Sequence, residues 1–61
     1  MSDMRWYPLP ESELCYAKEG GATFVQTWDG VRVLAGGKEG FVPMAEWTEE
    51  RGREVARCLT E

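Results

Sequence analysis

The stretch TFVQTWDGVRVL, Thr23 to Leu34, constrains the fold more than any other part of the chain. Thr23 to Trp28 is rich in β-branched and aromatic residues, which is strand composition. Asp29-Gly30 follows, and an Asp-Gly pair between β-type runs signals a two-residue hairpin turn. Val31 to Ala35 is the returning strand. A turn at Asp29-Gly30 pairs Trp28 with Val31, Gln26 with Val33 and Phe24 with Ala35. Those residues share one face, because strand side chains alternate. The other face then carries Thr23, Val25, Thr27, Arg32 and Leu34, with Val25 opposite Leu34. Apolar groups therefore point both ways. A chain of 61 residues buries only about 60% of the surface its unfolded form exposes. It has little material with which to cover both sides of a sheet.

The flanking segments extend this hairpin into a small domain. Glu13 to Lys18 has weak strand character, and Glu19-Gly20-Gly21 is a turn, since Gly supplies the positive φ that tight turns need. A two-residue loop at Gly20-Gly21, or a four-residue loop from Lys18 to Gly21, sets Leu14 and Tyr16 beside Val25 and Leu34. Cys15 and Ala17 then face the other way. A three-residue loop reverses every one of these assignments. The even loops are preferred, because small Cys15 and Ala17 leave room for a packed helix. Gly36 to Gly40 is expected to be a flexible loop. Phe41 and Val42 form a short further strand that Pro43 ends or keeps at an edge.

The C-terminal part is helical in composition. Thr48 is an expected N-cap, with Glu49 and Glu50 in the first turn and Arg53 and Arg57 toward the far end, as the helix dipole favours. Gly52, Val55, Ala56 and Leu59 recur at helical spacing and form one stripe. Gly52 costs about 1 kcal/mol against Ala in a helix, which close approach of the helix to the sheet would offset. Pro43 to Trp47 is either a preceding turn or the start of a longer helix. The expected fold is α+β: a three- to four-stranded antiparallel β-meander followed by one C-terminal helix packed on one sheet face. One domain spans residues 1–61, with an extended arm over 1–11, the meander over 12–42 and the helix over 44–60. Pro8 and Pro10 keep the arm extended. Its Trp6 and Tyr7 are expected to seal one end of the core, and the arm is also a candidate cover for the second sheet face.

The residues that carry most enzyme chemistry are missing. There is no His, the usual general base and metal ligand. Ser2 and Ser12 lie in no nucleophile motif. Gly36-Gly37-Lys38 lacks the spacing of a phosphate loop. Glu49 and Glu50 diverge around a helix and do not converge on one substrate atom. No catalytic residue, cofactor or metal site is expected. Cys15 and Cys58 are read as two small buried thiols, with a bond between strand and helix as the alternative. No signal peptide or apolar span is evident at the sequence level, so a cytoplasmic location is expected.

Net charge is −4, from eleven acidic and seven basic residues. The cations are scattered, which argues against direct nucleic-acid binding. The carboxylates are grouped: Glu46, Glu49, Glu50 and Glu54 around the helix start, with Glu11, Glu13 and Glu19 on the first hairpin. Spaced carboxylates of this kind can occupy a basic, nucleic-acid-handling groove on a larger protein partner. Tyr16, Val25 and Leu34 on the far sheet face form a second candidate contact, for a partner or for a homodimer. The expectation is a small acidic protein-binding module without enzymatic activity. It resembles, by class analogy, the phage and mobile-element inhibitors of host machines, anti-CRISPR and other anti-defence proteins among them. A homodimeric assembly subunit and a small RNA- or single-stranded-DNA-binding protein are the alternatives.

Overall fold

The computed structural model describes residues 4–10 and 14–61. Ser2, Glu11, Ser12 and Glu13 lie outside the described residues. Five strands form one antiparallel sheet in the order of the chain: β1 (Tyr7–Pro8), β2 (Cys15–Glu19), β3 (Ala22–Thr27), β4 (Gly30–Ala35) and β5 (Lys38–Pro43). A 3-10 turn, Met44–Glu46, leads into the helix α1, Glu49–Thr60. The fold is therefore α+β, with a fuller meander than the three or four strands expected.

Both added stretches of strand have physical causes. Gly36 and Gly37 take φ of 59° and 76°, the mirror-image turn that matches the twist of the flanking strands. That tight turn frees Lys38, Glu39 and Gly40 to pair in β5, with Ala35 opposite Lys38 and Val33 opposite Gly40. The expected flexible loop is thus a two-residue turn and half a strand. Gly20 and Gly21, at φ 58° and 82°, make the equivalent turn between β2 and β3 and select the even-length register. The arm supplies the fifth strand. Tyr7 pairs with Tyr16 and Pro8 with Cys15, so the arm lies beside the sheet and not over it.

The β3–β4 turn lies one residue earlier than expected, which shifts the pairing register by two. Thr27 pairs with Gly30, leaving Trp28 and Asp29 as the turn. Thr27 Oγ1 lies 2.6 Å from Asp29 Oδ1 and 2.9 Å from the Gly30 carbonyl. The Met44 N–H donates to the Asp29 carbonyl at 3.1 Å, which fastens the 3-10 turn to this corner. Gly30 serves packing: a methyl group there would overlap the Phe41 ring and the Val42 carbonyl of the next strand. Because the slip is even, every side chain keeps its expected face. Trp28 alone leaves the sheet and is 90% exposed. Val25 now faces Arg32, and Leu34 faces Thr23.

The core lies between the sheet and α1. Ala17, Phe24, Val31, Val33, Ala35 and Val42 are buried, and β4 alternates between buried and exposed positions along its length. Val55, Ala56 and Leu59 of the helix stripe pack on this surface. Gly40 admits the helix, since a methyl group there would sit 3.0 Å from Val55 Cγ1. Thr48 caps α1, its Oγ1 accepting from the Arg51 N–H at 3.0 Å. The helix thus begins after a preceding turn, not at Pro43. Cys15 is half-buried, Cys58 is exposed, and both are free thiols. Neither the cross-link nor the paired burial expected for them is present, because position 58 falls outside the packed stripe.

Gly52 is buried against Trp47, whose ring occupies the space a side chain would need, with Phe24 3.3 Å from the same point. Helix propensity favours Ala over Gly by about 1 kcal/mol, but overpacking a filled core costs about 1–3 kcal/mol. Gly52→Ala is therefore expected to destabilise the protein, by up to about 2 kcal/mol. Urea unfolding checks the sign, with a lower midpoint expected at unchanged slope.

Candidate functional site

One helix covers one face of the sheet, and the register defines what the other face presents. Tyr7 lies opposite Tyr16, Tyr16 opposite Val25, Val25 opposite Arg32, and Arg32 opposite Phe41. A single row of five side chains thus crosses every strand. Directly opposed side chains are the closest neighbours a sheet provides. The adjoining row is Lys18, Thr23, Leu34 and Glu39. On this face Tyr7 is 48% exposed, Phe41 47% and Leu34 38%, while Tyr16 and Val25 are half-buried.

The rows are held by contacts within the face. The Tyr7 and Tyr16 rings lie 5.8 Å apart at 39°. Phe41 lies over Gly30, where no side chain competes for the space. Arg32 Nη1 donates to Glu39 Oε2 at 3.2 Å, between two exposed side chains. The result is an apolar surface of aromatic ends and an aliphatic middle, to which the described residues add the charges of Lys18, Arg32 and Glu39. Contiguous exposed apolar surface of this kind marks interaction sites.

The acidic helix start is arranged differently. Glu49 is half-buried, and its Oε2 accepts from the Met4 N–H at 3.1 Å, tying the arm to the helix. Its Oε1 lies 3.9 Å from Arg53 Nη2. Arg53 Nε donates to Glu19 Oε2 at 2.9 Å, across from helix to sheet. That hydrogen bond, with Glu49 and Glu50 nearby, holds the Arg53 guanidinium above its usual pKa. Glu54 is paired with Arg51. Glu46 and Glu50 are exposed. The carboxylates grouped in the sequence are thus interleaved with arginines in space.

Of the seven residues singled out from the sequence, Tyr16, Val25 and Leu34 share the open face, and Glu46, Glu49, Glu50 and Glu54 lie around the helix start on the other layer. Tyr7, expected to seal the core but 48% exposed on this face, and Phe41 were not among them. Reading Gly36-Gly37 as a two-residue turn would have set Phe41 opposite Arg32 and brought it into the row. Beyond the open face, a shallow concavity of about 350 Å³ lies between the β2–β3 turn and α1, bordered by Glu19, Arg53 and Arg57. Among the described residues no group of three or more metal-ligating side chains gathers, and no helix is long and apolar enough to cross a membrane.

Glu49 and Glu50 should separate cleanly on substitution. Glu49→Ala removes the acceptor for the Met4 N–H and is expected to cost about 1 kcal/mol while speeding amide exchange in β1. Glu50→Ala, at an exposed position, is expected to stay within about 0.5 kcal/mol of the parent. Urea unfolding and amide exchange on both variants check this. No family model matches the chain, and no curated protein or solved structure matches it either.

Proposed function

We propose that this protein is a non-enzymatic protein-binding module whose recognition surface is the open sheet face. The observation that carries the reading is the row Tyr7–Tyr16–Val25–Arg32–Phe41, which crosses all five strands with exposed ends, a half-buried middle and no layer of the described residues above it. Aromatic residues and Arg dominate the energetic centres of protein interfaces, because they bury large rigid areas and still offer a polar contact. The absence of His from the sequence supports a binding role over acid–base chemistry.

Charge supports a protein over a nucleic acid as the bound class. A single strand stacks on exposed aromatics, but it also needs cations along its phosphates. Among the described residues of this face two cations stand against one carboxylate, and Arg32 is already engaged with Glu39. The rest of the molecule is acidic. The inhibitor reading, a carboxylate surface filling a basic groove, draws less support, because Glu49 and Glu54 are committed to contacts within the chain.

Photo-crosslinking in the producing cell tests the reading. A benzophenone side chain replacing Tyr16 is expected to capture a protein, either another protein or a second copy. The same group replacing Glu50 is expected to capture none. Capture from Glu50 alone would move recognition to the helix start, and capture of nucleic acid from Tyr16 would change the bound class.

A further inference from the structure

Resting on the open-face reading, we propose that the occupant of that face is a second copy of this chain, packed face to face about a twofold axis running along β3. The row across the sheet is its own complement under that operation. Val25, on β3 at the middle of the row, falls on the axis and meets Val25 of the second copy. A rotation about β3 exchanges β2 with β4 and β1 with β5. Arg32 is then set against Tyr16 of the second copy, and Phe41 against its Tyr7. The first is a cation over an aromatic ring and the second an aromatic pair, both favourable beyond simple burial.

The adjoining row gives charge complementarity. Lys18 is set over Leu34 of the second copy, whose cross-strand neighbour is Glu39. The Lys18 stem covers the leucine while its ammonium approaches that carboxylate. The other face-to-face twofold, running along the row, would stack Arg32 on Arg32. Like charges directly opposed are unfavourable, so the axis along β3 is selected. Aligned sheets pack at about 30°, an angle that keeps the three central strands in register and splays the corners.

The size of the face sets the strength. Four strands of five or six residues, about 4.8 Å apart, present a footprint of about 19 by 20 Å, to which the two-residue β1 adds little. Two such faces bury about 800 Å², the size of a weak, transient interface. The dimer is therefore reversible, forming in the micromolar range.

Sedimentation velocity of the full chain from about 1 to 500 µM tests the proposal with two variants on the axis. Val25→Asp and Val25→Lys each place a charge against its own copy. Each is expected to be folded by circular dichroism and monomeric throughout, and a one-to-one mixture is expected to dimerise again. If either axis variant fails to fold, Lys18→Glu, at an exposed position, supplies the reading, with about a tenfold weaker dimer at low salt.

A wild type that stays monomeric at every concentration overturns the proposal, as does a dimer that survives Val25→Asp or, where both axis variants fold, a mixture that stays monomeric. Binding of a fluorescent oligo-dT that Val25→Asp abolishes, with no self-association, overturns it in favour of single-stranded nucleic acid. A monomeric wild type that still crosslinks through position 16 to another protein removes the second copy and leaves the open-face reading standing.

Discussion

Trp47 against Gly52 is the contact on which the arrangement of the whole chain depends. The indole fills the space left by the missing side chain and packs against Phe24 with ring centroids 6.2 Å apart. It also meets Trp6 edge-on at 6.0 Å and 75°. One side chain therefore joins arm, sheet and helix. Thr48, the helix cap, is the next residue, so the start of α1 and its seat on the sheet are specified by neighbours in sequence. The consequence for the opposite face is direct. Met4, Trp6, Phe24, Trp47 and the helix stripe all serve the covered side. The described chain supplies no second layer, and Tyr7, Tyr16 and Phe41 remain at the surface.

The parts of this fold that were legible in the sequence are those set by local chemistry. Alternation from Thr23 to Ala35 assigned every side chain of the two strands except Trp28 to its correct face, and Thr48, Gly52, Val55, Ala56 and Leu59 marked the helix and its buried stripe. The parts that were not legible turn on competition between remote groups. Gly30 has two uses, as a turn residue or as a site for close packing, and only the arrival of Phe41 from β5 decides between them. That choice expels Trp28 and shifts the pairing of Val25 and Leu34. The arm likewise has two surfaces open to it. Glu49 draws the Met4 N–H toward the helix start, and Tyr7 then pairs along β2, contacts that span most of the chain and leave no local pattern.

The charges are divided between the layers in a way the net value hides. Around α1, Glu46, Glu49, Glu50 and Glu54 are interleaved with Arg51, Arg53 and Arg57. Among the described residues the open face carries Lys18 and Arg32 against Glu39, so it is not one of the acidic parts of the surface. An acidic protein repels copies of itself at long range. Within a Debye length of contact, about 8–10 Å at ordinary ionic strength, the local charges decide instead. The open face is thus a part of this molecule where close approach of another acidic surface, or of an identical one, is least opposed.

The sheet edges narrow the choice further. A free edge strand offers unpaired N–H and C=O groups and invites further strands, unless it is short, charged or interrupted by proline. The outer strand β1 is two residues long and contains Pro8. At the other edge β5 opens with Lys38 and Glu39 and closes with Pro43, which has no N–H to give. Both edges are therefore poor templates for extending the sheet. No proline interrupts the row on the open face. Defended edges around an undefended face direct association perpendicular to the sheet. That favours a discrete contact over open-ended growth, because a face used once by a twofold partner is closed to a third copy.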